Sequence, residues 1–315
     1  MPVVRLDFHY STSALFRQTP SGSGKWGEYT FTTEPIENPD YLVVANFPYR
    51  EIDVKIPENA AYLLSQEPPI NHYRWVTKYF DYFDYVFTSW GKEYSQKVVP
   101  HQGMLPWHIQ KSYDELIALH PETLDKKDQV SWITSNLRNR SGHRRRMKFL
   151  QAIRKQGFEF DLIGRGFQPV DDKFDALASY KYSIALENFS CNDYWTEKIA
   201  DCLLSWSMPI YWGCKNITKY FPEEALILID PTKPAEAIKQ INQAIEEKRW
   251  EKNLDAIAEA RNKILNNYQL FPGIVQHIER HAAPRSEPRA LHIPKAIVPE
   301  QGIFDKFIGF LIRKF

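Results

Sequence analysis

Cysteine is scarce: the three in 315 residues, Cys191, Cys202 and Cys214, are an odd number gathered in one stretch, which excludes a disulfide framework and suits reduced packing residues. No run of about 20 apolar residues occurs, so no segment reads as a membrane-spanning helix. Net charge is only +1, which gives no long-range attraction for nucleic acid. The 13 glycines and 21 prolines are spread through the chain, and no repeat or low-complexity tract appears. The start, Val3 to Tyr10, is strand-like and lacks the basic and apolar regions of a secretory signal, so the expected location is cytoplasmic. Metal-binding patterns are also missing. Neither Asp81 with Asp84 nor Asp171 with Asp172 forms D-x-D, and His277 and His281, four residues apart, have no acidic partner in a metal motif. No metal or cofactor is therefore expected.

What is present suffices for two cores, with 43% hydrophobic and 14% aromatic residues. Strand-like runs at Val3–Phe8, Leu42–Phe47, Ala61–Leu64 and Tyr85–Ser89 fill a first half, residues 1–121, closed by a helical stretch that stops at Pro121. Strands near residues 130, 160, 183, 210 and 227, then a long helical pattern from Pro234 to Asn267, make a second half, residues 122–283. Strands alternating with helices imply parallel sheets, hence an α/β class.

The most informative stretch runs from Tyr182 to Gly213. Tyr182–Leu186 is a short apolar run that suits a central parallel strand, and it ends in the polar cluster Glu187–Asp193. A helix follows, with Trp195, Ile199, Cys202, Leu203 and Trp206 at helical spacing and Asp193 or Asn192 as its cap. Ligands of open α/β sheets sit at such strand ends, and a helix N-terminus carrying Lys198 favours an anion such as phosphate.

The letters of this stretch resemble the donor-site motif of the α-1,3-fucosyltransferases, glycosyltransferase family 10, in their bacterial cytoplasmic form. Glu187 and Asn188 match its E-N pair, Asp193 and Tyr194 its D-Y pair, Thr196, Glu197 and Lys198 its T-E-K, and Pro209 and Gly213 its final P-x-x-x-G. Upstream, Val130–Asn136 resembles the family's strand ending in S-N, followed by an Arg that contacts the donor phosphates. The best register puts that role on Arg145, with Arg144 and Arg146 as neighbours; the same arginines also read as a solvated basic face or a nucleic-acid patch. Phe160–Phe167 resembles the second strand and glycine turn, where Gly164 and Gly166 let the backbone pass close to its neighbours or a nucleotide.

The resemblance implies two Rossmann-like domains facing a cleft, the GT-B fold, and an inverting transfer of L-fucose from GDP-fucose to an acceptor glycan, with no metal. Lys198 and Arg145 would bind the diphosphate, Glu197 would bond the donor hydroxyls, and Asn188 and Tyr194 would line the pocket. Arg144, Glu187 and Gly164 are further donor-side candidates. Glu67, in Tyr62–Pro69, matches the family's E-S-P element except that Pro68 replaces Ser, and there it would be the general base. Rival readings are another nucleotide sugar on the same fold, or a non-catalytic carbohydrate-binding or membrane-associated scaffold. Residues 284–300 read as a linker, and Gln301–Phe315, rich in Phe, Ile and basic residues, as a tail that contacts a membrane surface or packs on protein.

Overall fold

A computed structural model describes residues 1–10, 12, 14–281 and 287–299. Among these, the first strands are β1 Val3–Asp7, β2 Lys25–Trp26, β3 Tyr29–Thr32, β4 Tyr41–Ala45, β5 Ile52–Ile56, β6 Ala61–Ser65, β7 Tyr85–Thr88 and β8 Val98–Pro100. Then come β9 Lys127–Ile133, β10 Asp161–Ile163, β11 Tyr180–Leu186, β12 Met208–Trp212, β13 Ile227–Leu228 and β14 Arg289–Ile293. The α-helices are α1 Tyr113–Ile117, α2 Ser141–Lys155, α3 Lys173–Ala178, α4 Glu197–Leu204, α5 Pro234–Glu246, α6 Arg249–Lys252, α7 Leu254–Lys263 and α8 Leu270–His281.

The chain forms two compact units, residues 1–104, 112–114 and 270 onward in one, and 105–111 with 115–269 in the other. In the first, a sheet of order β2-β3-β1-β4-β6-β7-β8 is parallel from β3 to β8. One of its cores joins Val4, Leu6, Phe8, Val43 and Ala45 to Leu270, Phe271, Ile274 and Ile278 of α8; the other joins Leu42, Val44 and Leu63 to Val76 and Phe80. The second unit is a parallel five-stranded sheet of order β10-β9-β11-β12-β13. β11 lies between β9 and β12, with Tyr182 beside Val130 and Ile184 beside Ile210, which accounts for its unbroken apolar run.

This division differs from the expected 1–121, 122–283 and 284–315. The segment before Pro121 contributes to the second unit, where the His108 N–H donates to Asp201 Oδ1 at 2.9 Å and the Gln110 N–H to Asp172 Oδ1 at 3.0 Å. α8 returns to the first unit because its apolar stripe fits the β1 and β4 face. The segment read as a linker contains β14, antiparallel to β5, with Leu291 opposite Val54 and Ile293 opposite Ile52. Beyond it the Ala296 N–H donates to the Pro48 carbonyl at 2.7 Å. The tail 301–315 lies outside the described residues. His277 and His281 are spent on ring packing, against Phe87 and Tyr85 respectively.

Candidate functional site

In the second unit the sheet order reverses direction between β9 and β11, and the crevice beyond the carboxyl ends of such strands is where open α/β sheets bind ligands. Glu187 and Asn188 leave β11 there, and α2 begins eight residues after β9. The cap of α4 is Thr196, with extended backbone and an Oγ1 that accepts from the Lys198 N–H, rather than Asp193 or Asn192. Asp193 is occupied elsewhere: it stands at φ 57° and its carboxylate accepts from Asn216 Nδ2 at 2.9 Å and the Tyr220 hydroxyl at 2.6 Å. These bonds pin the loop that enters the helix.

Glu187 is 1% exposed, and its role is internal. Its two oxygens accept from the N–H and the hydroxyl of Thr196, both at 2.8 Å, and Lys198 Nζ lies 3.5 Å from Oε2. Burial pushes its carboxyl above the ordinary value, with Lys198 acting against the shift. The carboxylate thus clamps the helix cap and the ammonium together. A Cβ on Gly213 would collide with the Glu187 side chain, so only glycine leaves room for the clamp. Gly213→Ala is expected to cost about 1–3 kcal/mol of stability, read from chemical denaturation; an unchanged midpoint would refute the close fit.

Lys198 Nζ donates to Thr196 Oγ1 and to Glu197 Oε1, both at 3.0 Å, while its side chain keeps 22% exposure. Burial lowers its pKa, yet Glu197 and Glu187 outweigh burial and hold the ammonium above its usual value. Burial also works against an ionised Glu197, but Lys198, His108 and Lys173 together keep its carboxyl well below the usual range. Both groups are therefore charged at neutral pH.

The three arginines of α2 part company. Arg144 is exposed and donates to the carbonyls of Arg138 and Asn139, and Arg145 lies over the Trp212 ring at 4.7 Å. Arg146 is the one turned inward: 7% exposed, it donates from Nη1 to Asn188 Oδ1 at 2.7 Å and lies in the field of Glu187, Glu197 and Tyr194. Its Nε is buried without a hydrogen-bond partner. The inward cation is thus one residue beyond the expected Arg145. Three consecutive arginines carry no signal that separates them, since adjacent helical positions differ by about 100° and packing alone selects. Gly142 sets the approach, because a Cβ there would collide with the Asn188 carbonyl.

Tyr194 is buried at the loop's end. Gly164, at φ 115°, lies where a Cβ would strike the Thr134 carbonyl, so its position beside the end of β9 requires glycine. Glu67 is half-buried, two residues past β6 in the other unit. The second unit therefore gathers Arg146, Asn188, Tyr194, Glu197 and Lys198 around one helix N-terminus. Two cations and the first-turn N–H groups there suit a diphosphate.

Residues 123–253 match the family described as glycosyltransferase family 10 (fucosyltransferase), C-terminal part. This stretch of the chain is similar to a family 10 domain. The chain is also similar to curated proteins. One match is 33% identical over 81 residues to GDP-fucose protein O-fucosyltransferase 3 of Danio rerio, covering 25% of this chain and 18% of that protein. Another is 29% identical over 171 residues to human 3-galactosyl-N-acetylglucosaminide 4-alpha-L-fucosyltransferase FUT3, covering 52% and 44%. The matches span less than half the length of these relatives. Among solved structures, an alpha-glucosyltransferase in complex with UDP and a 13-mer DNA containing a HMU base aligns with TM-score 0.53 at 9% identity, covering 89% of this chain and 98% of that one. The architecture is GT-B, two Rossmann-like units, and the stretch similar to family 10 lies within the second.

Proposed function

We propose that this protein is an inverting fucosyltransferase that moves L-fucose from GDP-fucose to a hydroxyl of an acceptor glycan, α-1,3 to a residue of the N-acetylglucosamine or glucose type. The observation that carries the reading is the convergence of Arg146 and Lys198 at the capped start of α4, inside the stretch similar to family 10. The names of the relatives support fucose as the sugar, and that of the Danio rerio protein supports GDP as its carrier.

In the proposed step the bond between fucose C1 and the β-phosphate oxygen breaks while an acceptor oxygen bonds C1 from the opposite face. The acceptor's proton passes to Glu67, and GDP departs carrying the electron pair. Arg146, Lys198 and the α4 N-terminus offset the charge that grows on the leaving phosphate, where preorganised donors contribute most. Glu197, ionised and beside Lys198, is placed to accept hydrogen bonds from fucose hydroxyls. Arg145, over the Trp212 ring at the end of β12, would meet the nucleotide's edge. These side chains supply the charge that a divalent ion would otherwise bring, so the proposed reaction requires no metal. The proposed location is the cytoplasmic side of a membrane, with the apolar and basic sequence Gln301–Phe315 as the contact.

Ligand-dependent melting tests the donor. GDP and GDP-fucose at 100 times their dissociation constants are expected to stabilise the fold by about 2.7 kcal/mol, with UDP-sugars giving no shift. A shift with UDP-glucose and none with GDP would overturn the donor assignment.

A further inference from the structure

In the first unit the sheet order turns between β1 and β4, and the crevice at the carboxyl ends of these strands is where such a sheet takes a ligand. Three charged side chains meet there. Asp7 closes β1, Arg5 lies two residues earlier on the same face of that strand, and Arg50 stands in the loop from β4 to β5. Asp7 is fully buried and Arg5 nearly so. Arg5 donates from Nη2 to Asp7 Oδ2 and from Nη1 to the Ile36 carbonyl, both at 2.9 Å, so it is fixed inside the unit and already balances the carboxylate.

Arg50 brings a second guanidinium to the same carboxylate. Its Nε donates to Asp7 Oδ1 at 3.2 Å and to Oδ2 at 3.0 Å, and its Nη2 donates to Oδ2 at 2.6 Å. Two guanidiniums against one carboxylate leave a positive charge in excess, and it falls on Arg50, whose side chain is 37% exposed.

A guanidinium can grip an oxyanion along more than one edge, each with a pair of parallel N–H bonds. Arg50 spends its Nε and Nη2 edge on Asp7, and its face lies toward the Tyr49 ring, with Cζ 5.2 Å from the centroid. The outer edge, Nη1 with the second proton of Nη2, makes no hydrogen bond among the described residues. The acids that follow in the chain do not take it, because Glu51 and Asp53 turn to His292, at 3.8 and 2.9 Å. Asp7 and Tyr49 thus hold the fork in place before a ligand arrives, which lowers the entropy lost on binding. The donor diphosphate has its own cations, Arg146 and Lys198, in the second unit, so an anion taken by the first unit belongs to the other substrate.

We propose that Arg50 is a specificity-determining residue for the acceptor, its outer edge taking an oxyanion, a carboxylate or a phosphate ester, carried by the acceptor glycan. The inference rests on the fucosyltransferase reading. Its test uses matched oligosaccharides ending in N-acetylglucosamine or glucose: one neutral, one with a hexuronic acid and one with a phosphate ester on the neighbouring sugar. Binding is followed by saturation-transfer NMR and transfer by acceptor KM, with inorganic phosphate as a competitor. The wild type should favour an acidic member over its neutral match by about tenfold in KM, the size of one partly solvated charge-assisted bond, and lose the preference as sodium chloride rises. Preference for the uronic acid or for the phosphate ester alone would support the proposal and identify the oxyanion. Arg50→Gln should abolish the preference with GDP affinity and melting temperature unchanged, since Arg5 still balances Asp7. Arg50→Lys, which keeps the charge and loses the second fork, should retain part of it. No preference in the wild type, a preference that survives Arg50→Gln, or a loss of stability in Arg50→Gln that raises every acceptor KM alike would each overturn the proposal and leave Arg50 as a partner of Asp7. So would binding of inorganic phosphate with no acidic oligosaccharide favoured. Failure of the wild type to bind GDP would instead overturn the fucosyltransferase reading.

Discussion

Lys198→Ala is expected to lower fucosyl transfer by about two to three orders of magnitude, the cost of removing one preorganised donor from a developing oxyanion. Lys198 Nζ is held at 3.0 Å by both Thr196 Oγ1 and Glu197 Oε1, with Glu187 3.5 Å away, so its position is set before any ligand arrives. The substitution removes the cation that Glu187 and Glu197 share, leaving Glu187 to Thr196 and Glu197 to the weaker fields of His108 and Lys173. Part of the effect will therefore appear as weaker GDP binding, because the remaining charge repels a diphosphate. The check is kcat with GDP-fucose beside GDP affinity by calorimetry and a circular-dichroism melt. Turnover within threefold of wild type in a folded variant would sink the assignment.

The second large effect separates neighbours. Arg146→Ala is expected to reduce kcat/KM by a hundredfold or more, and Arg145→Ala by less than about tenfold. Arg146 is buried, bonded to Asn188 and next to Glu187 and Glu197, whereas Arg145 rests on Trp212 and Arg144 on exposed backbone carbonyls. Arg146→Lys should recover little, since a lysine cannot keep Asn188 and also present a fork to phosphate. Steady-state kinetics on the three single variants settles the order. If Arg145→Ala proves the more damaging, the register returns to Arg145, and Arg146 becomes a structural partner of Asn188.

How much of this site is visible in the letters depends on how far apart in the chain its parts lie. Glu187, Asn188, Tyr194, Glu197 and Lys198 follow one another along a strand, a loop and a helix start, so their spacing carries their geometry. The T-E-K letters even contain the cap, because Thr is a favoured N-cap residue, although the acidic Asp193 draws attention first. Glu187 looked like a donor ligand because its type is right. Its clamp on Thr196 and Lys198 becomes visible only when β12 brings Gly213 against it.

Local pattern likewise determined the α/β class and the run of strands in the second unit: apolar segments of five or so residues between helical stretches have few other solutions. Tertiary structure decided the rest. Which of three adjacent arginines faces inward depends on the rotation of α2 against Asn188. That α8 belongs to the first sheet depends on which apolar face it finds, and β14 becomes a strand only by pairing with β5, more than 200 residues earlier in the chain. His9 and Phe47 lie far apart in the chain, and their rings stack only where β1 and β4 become neighbours. Sequence determines what each segment can form on its own; contacts between distant segments are selected by burial and shape, which spacing along the chain does not encode.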